Sequence, residues 1–95
     1  MVMIPTIHLN GTQGEELLSL QETACLSLRL SLAAMQDAGP HGRDYYPQGD
    51  TAFSQAVSEY QVRVTQVTAA LNELVAIRNG IRSALKERED RKKSR

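Results

Sequence analysis

The side chains able to do chemistry gather at two places along the chain. His8 and Asn10 stand in the first, Ile7-His8-Leu9-Asn10-Gly11-Thr12. His41, Arg43, Asp44, Tyr45, Tyr46 and Gln48 stand in the second, Gly39-Pro40-His41-Gly42-Arg43-Asp44-Tyr45-Tyr46-Pro47-Gln48-Gly49-Asp50. Arginine grips phosphate or carboxylate through paired N–H donors. Tyrosine stacks on flat rings or walls a pocket, and His, Asn and Gln read polar edges. A pocket assembled from His8, Asn10, Arg43, Asp44, Tyr45, Tyr46 and Gln48 suits a nucleotide or a similar phosphorylated small molecule. The competing use of the second segment is structural. Tyr45 or Tyr46 would plug the end of a helical hairpin, and Arg43 would pair with Asp44 or Asp37.

Catalysis fits these residues poorly. Two histidines without H-x-x-x-H or C-x-x-C spacing make a weak metal site. Cys25 is the sole cysteine; it forms no internal disulfide, cannot hold zinc alone, and lies in an apolar stripe as a small hydrophobe. No serine has a G-x-S-x-G setting. Asn10-Gly11-Thr12 matches a glycosylation sequon, which matters only on a secreted chain. The expectation is a protein that is not an enzyme, with no metal and no cofactor.

The elements that must position these residues are helical. Residues 1–11 read as an extended arm: apolar and polar residues alternate from Thr6 to Asn10, and Pro5 excludes a helix. Residues 12–38 read as a first helix, opened by a capping box from Thr12 to Glu15. Its core face is Leu17, Leu20, Ala24, Leu28, Leu32 and Met35, widened by Leu18 and Cys25. Leu26 and Leu30 fall on the opposite side and need cover from the arm or from another subunit. Residues 39–50 form the motif loop, longer than the ~2–8 residues that usually join paired helices.

Residues 51–90 read as a second, coiled-coil-like helix capped by Gly49 or Asp50. Phe53, Val57, Tyr60, Val64, Val67, Leu71, Leu74, Arg78, Ile81 and Leu85 keep alternating spacings of four and three. Asn79-Gly80 is a point where this helix is expected to bend or fray. In an antiparallel hairpin the second helix overhangs the first, leaving part of the Leu71–Leu85 seam without an internal partner. That predicts a homo-oligomer formed through helix two. The fold class is therefore all-α: an antiparallel two-helix hairpin with an extended N-terminal arm, oligomeric.

Ninety-five residues allow a single domain, 1–95. Eleven basic and eleven acidic residues cancel, so no whole-chain charge draws nucleic acid or membrane. The segment from Lys86 carries six of the basic residues but also Glu87, Glu89 and Asp90. It reads as a solvated helix end with a basic tail at 91–95, and nucleic acid is not the expected partner. No run approaches the ~20 apolar residues of a membrane span, and the start lacks a signal-peptide pattern. A cytoplasmic protein is expected.

Ile7-His8-Leu9-Asn10-Gly11-Thr12 followed by Gly42-Arg43-Asp44-Tyr45-Tyr46-Pro47-Gln48-Gly49 resembles a group of small proteins of tailed bacteriophages and prophages. There too the two motifs flank the first helix, and the match covers almost the whole chain. The resemblance implies a phage-encoded accessory protein working in the cytoplasm of a bacterial host. It supplies no reaction.

Two routes would bring the motifs together. The arm folds back along the helices, reaching ~30 Å in nine or ten extended residues, or the arm of one subunit meets the loop of another. The function expected first is counter-defence by binding and sequestering a small nucleotide-like ligand. The alternatives are a protein-binding inhibitor or adaptor of a host enzyme, and a coiled-coil structural or assembly factor.

Overall fold

The computed structural model describes residues 2–93. Helix α1 spans Gly14–Asp37 and helix α2 spans Ala52–Lys93, with short 3-10 turns at Gly42–Asp44 and Tyr46–Gln48 between them. The described residues contain no strand. The expected all-helical class and the long second helix are present.

Three places fix how the helices lie. Gly14, at the start of α1, closes against Leu85, where a β-carbon would come within 2.5 Å of the leucine side chain. Glu22 accepts an ion-paired hydrogen bond from Arg82 at 3.5 Å. Gly39, just beyond α1, lies under the Tyr60 ring. The Glu22–Arg82 pair is half-exposed on both sides, so it marks register more than it stabilises. Packing of the two apolar faces holds the helical hairpin together.

This register corrects the expected overhang. The α2 seam from Tyr60 to Leu85 lies opposite α1, because the motif loop covers the first turns of α2 instead. What projects past α1 is Lys86–Lys93, all of it exposed. The overhang is charged rather than apolar, so it does not itself demand a partner.

Two further expectations change. The capping box does not form. Thr12 lies outside the helix, Gln13 occupies the cap position without a side-chain bond, and the Leu17 N–H donates to the Gln13 carbonyl at 2.9 Å. Glu15 then sits one position too early to reach back. The second helix starts later too: the Gln55 N–H bonds the Thr51 carbonyl at 3.0 Å, which makes Thr51 the first acceptor of an α-helical bond, while the Gly49 carbonyl takes only a tighter turn bond from the Ala52 N–H at 3.4 Å.

Gly80 does not interrupt α2, which runs as one helix from Ala52 to Lys93. Its missing side chain is a seat for the arm. A β-carbon at Gly80 would come within 2.7 Å of Ile4, while Ile7 lies against Gly14. The arm thus folds back onto its own hairpin and covers the neighbourhood of Ile81, which is fully buried.

The core is thin. Cys25, Ala56 and Ile81 are the buried hydrophobic residues among those described. The molecule measures 71 × 23 × 22 Å with a radius of gyration of 20.1 Å, against ~12 Å for a compact domain of this length. The arm leaves Leu26 and Leu30 uncovered, at 56% and 63% exposure.

Candidate functional site

The motif loop is built from consecutive tight turns. The Asp44 N–H donates to the His41 carbonyl at 3.0 Å and the Tyr45 N–H to Gly42 at 3.1 Å. The Gln48 N–H then donates to Tyr45 at 2.9 Å and the Gly49 N–H to Tyr46 at 3.2 Å. Pro47 lies within the second turn, where its fixed φ favours the geometry. Gly49 ends the turn at φ 113°, a conformation that side chains resist.

This backbone sends the two tyrosines to different tasks. Tyr45 is half-buried and meets Phe53 of α2 with ring centroids 6.4 Å apart at a 42° tilt. It is the plug at the end of the hairpin. Tyr46 is 76% exposed and borders a shallow groove of about 450 Å³ with Gly42, Gly49, Asp50 and Phe53. Arg43, Asp44 and Gln48 are also exposed. Among the described residues Arg43 makes no ion pair or side-chain hydrogen bond, so pairing with Asp44 or Asp37 is not realised.

The N-terminal motif forms a turn of its own. The Gly11 N–H bonds the His8 carbonyl at 3.1 Å, and the His8 ring lies over Gly11. Leu9 stands at the tip, 97% exposed, and Asn10 is exposed beside it. Next to this turn is a cleft of about 1,130 Å³, walled by His8, Gln13 and Glu15 on one side and by Arg88, Glu89, Arg91 and Lys92 of α2 on the other. These three cations were not among the residues expected at the site. Their one signal in the sequence was the crowding of basic residues after Leu85.

The two motifs lie at opposite ends of α1, whose 24 residues put ~36 Å between them. The arm does fold back, but Ile4 lies only at the level of Gly80. Within one chain, Arg43, Asp44, Tyr45, Tyr46 and Gln48 stand together, and His8 and Asn10 stand apart from them. The fold-back route therefore gathers only part of the expected set. No cluster of His, Cys, Asp and Glu among the described residues could hold a metal ion.

No protein-family model matches the chain, and neither does any curated protein or solved structure.

Proposed function

We propose that this chain is a non-enzymatic, phage-type binding protein whose motif loop holds a small phosphorylated, nucleotide-like ligand. One observation carries the proposal. The loop is stiffened by successive backbone hydrogen bonds, yet Tyr46 stands exposed on an open groove, and Arg43, exposed in the same loop, makes no ion pair or side-chain hydrogen bond among the described residues. A guanidinium without a partner, three residues before an exposed ring in the same stiff loop, supplies the two groups that a phosphate and a base would need. In this scheme Arg43 grips the anion, Tyr46 stacks, and Gln48 adds a donor and an acceptor. Asp44 holds the guanidinium's surroundings near neutrality. His8 and Asn10 join only if a second subunit supplies them. Sequestering a host signal nucleotide in the bacterial cytoplasm is the role this chemistry would serve. No helix among the described residues is long and apolar enough to cross a membrane.

Native mass spectrometry of protein purified from bacteria tests the proposal, since it reports oligomer mass and any retained small molecule at once. Arg43→Ala is expected to abolish retention while leaving the melting temperature of the ligand-free protein unchanged. Loss of a charge-assisted contact is worth about 1.5–3 kcal/mol of binding, roughly tenfold or more in affinity. A variant that melts several degrees lower, with no ligand found on the parent protein, would show Arg43 to be a clamp on the loop and end the ligand proposal.

A second reading is favoured by a separate observation, the thin core. A hairpin with so little buried surface is suited to act as a self-associating, antiparallel coiled-coil assembly unit. In it, α2 or another helix face would bind further copies of the chain. The exposure of Tyr46 also fits a protein surface, such as that of a host enzyme, in place of a small molecule.

A further inference from the structure

The His8–Gly11 turn takes no part in the ligand site of a single chain, and it carries chemistry of its own. The chain holds three asparagines, and two of them precede glycine, in Asn10-Gly11 and Asn79-Gly80. An asparagine before glycine can close on itself. The glycine backbone nitrogen attacks the side-chain amide carbon, and with no β-carbon on the glycine nothing crowds the approach. The ring so formed contains that nitrogen and the C, Cα, Cβ and Cγ atoms of the asparagine.

The fold treats the two pairs differently. Asn79 and Gly80 lie inside α2. There each backbone nitrogen is held in the helix ladder, so ring closure requires the helix to unwind. The Asn79 Oδ1 also accepts from Arg78 Nε at 3.3 Å and from Nη2 at 3.1 Å, and Ile4 lies on Gly80. Asn10 is exposed in a tight turn, next to Leu9 at 97% exposure. The backbone bond that closes this turn runs from the Gly11 N–H to the His8 carbonyl at 3.1 Å. Opening an exposed turn exchanges that bond for water and frees the nitrogen at little cost.

A base stands beside that nitrogen. The His8 imidazole lies over Gly11, its Nε2 2.8 Å from where a β-carbon of Gly11 would be. A β-carbon is ~2.5 Å from its own amide nitrogen, which puts Nε2 within ~5 Å of the Gly11 nitrogen, a gap that one water bridges. The charged groups facing His8 across the adjoining cleft are Glu15 of α1 and Arg88, Glu89, Arg91 and Lys92 of α2.

We propose that Asn10 is a site of self-catalysed deamidation, with His8 as the base and water as the co-reactant. The Gly11 N–H gives its proton to the imidazole as the nitrogen bonds to the Asn10 Cγ. The bond from Cγ to the side-chain nitrogen then breaks. That nitrogen leaves as ammonia, taking the proton back from His8. Water opens the resulting succinimide at one of its two carbonyls. Opening at Cγ leaves aspartate; opening at the main-chain carbonyl leaves isoaspartate, with the chain routed through Cγ. Either product makes the formally neutral chain one unit more negative. The new carboxylate stands between Leu9 and Gly11, which border the cleft walled by Arg88, Glu89, Arg91 and Lys92. The change accumulates with the age of the molecule, and it uses no residue of the motif loop.

Trypsin places Asn10, Asn72 and Asn79 on separate peptides, because Arg29, Arg63, Arg78 and Arg82 divide them. The full chain is aged in neutral buffer, digested briefly in mild acid to limit conversion during the digest, and mapped by chromatography and mass spectrometry. The peptide bearing Asn10 is expected to give two new species, each heavier by the difference between OH and NH2. The peptides bearing Asn72 and Asn79 are expected to stay unchanged, and Asn79 to convert only when the chain is aged in guanidinium. His8→Gln is expected to slow conversion of Asn10 several-fold with helicity unchanged. That difference from the parent should vanish in mildly acidic buffer, where an imidazole is protonated. An Asn10 that stays intact in the folded chain overturns the site. Equal conversion of Asn10 and Asn79 in the folded chain overturns selection by the fold. A His8→Gln variant that converts at the parental rate overturns the base and leaves the modification site standing.

Discussion

Giving Gly80 a methyl group sets two effects against each other. Glycine to alanine inside a helix gains about 1 kcal/mol of helix propensity. The same methyl meets Ile4 at 2.7 Å and must push the arm aside. Ile4 is only 37% exposed and meets the methyl through its branched Cγ1 and Cγ2 as well as Cδ1, so moving it uncovers Ile81. Gly80→Ala is therefore expected to lower the melting temperature while speeding amide exchange in the arm. A rise in melting temperature would mean that the helix gains more than the arm contributes. The two tyrosines make a second comparison at this scale. Tyr45→Ala removes the ring packed on Phe53 and is expected to destabilise by on the order of 1–2 kcal/mol. Tyr46→Ala removes an exposed ring and should leave stability within ~0.5 kcal/mol while weakening any ligand. Equal losses from both would place Tyr46 in the plug.

At the scale of elements, α2 is two helices in its physics though one in its backbone. From Val57 to Leu85 its seam is half-buried or buried against α1, the loop and the arm. From Lys86 onward every described residue is exposed. That last stretch has helix-forming residues and the Glu87–Arg91 pair at 3.9 Å across one turn, worth a few tenths of a kcal/mol. Nothing apolar anchors it. Amide exchange is therefore expected to be fast beyond Leu85 and slow around Ile81, a contrast that hydrogen-exchange mass spectrometry reads directly. Removing residues 86–95 should leave the melting temperature of the hairpin almost unchanged. A large drop would show that the cleft beside His8 contributes to the fold.

For the whole molecule, shape and core lead to the same expectation. A rod 71 Å long whose buried hydrophobic residues are Cys25, Ala56 and Ile81 among those described has little burial with which to offset its chain entropy. If copies cover one another, folding and association are linked, and stability depends on protein concentration. The melting temperature is expected to rise with concentration across the micromolar range. A concentration-independent melt would indicate that the single hairpin is sufficient on its own.

Periodicity along the chain determined what elements there would be. Alternating spacings of three and four require helices, Pro5 keeps the arm out of them, and Gly39-Pro40 and Gly49 close the loop that separates them. These are effects of neighbours in sequence, so they survive without tertiary knowledge. Leu26 and Leu30 were legible for the same reason, because their angular position follows from helix geometry alone. Register was not legible. Which turn of α2 meets Gly14 depends on how a twelve-residue loop folds over Phe53, and several registers bury a heptad seam equally well. Hence the apolar overhang expected past α1 became a charged one. Gly80 misled for a related reason: a glycine reads as weakness within its own helix, and only the seating of Ile4 makes its bare backbone useful. The site divides the same way. Residue types nominated Arg43, Tyr46, His8 and Asn10. The tertiary structure alone decided that Tyr45 turns inward, that Tyr46 and Arg43 stay free, and that α1 holds the two motifs apart.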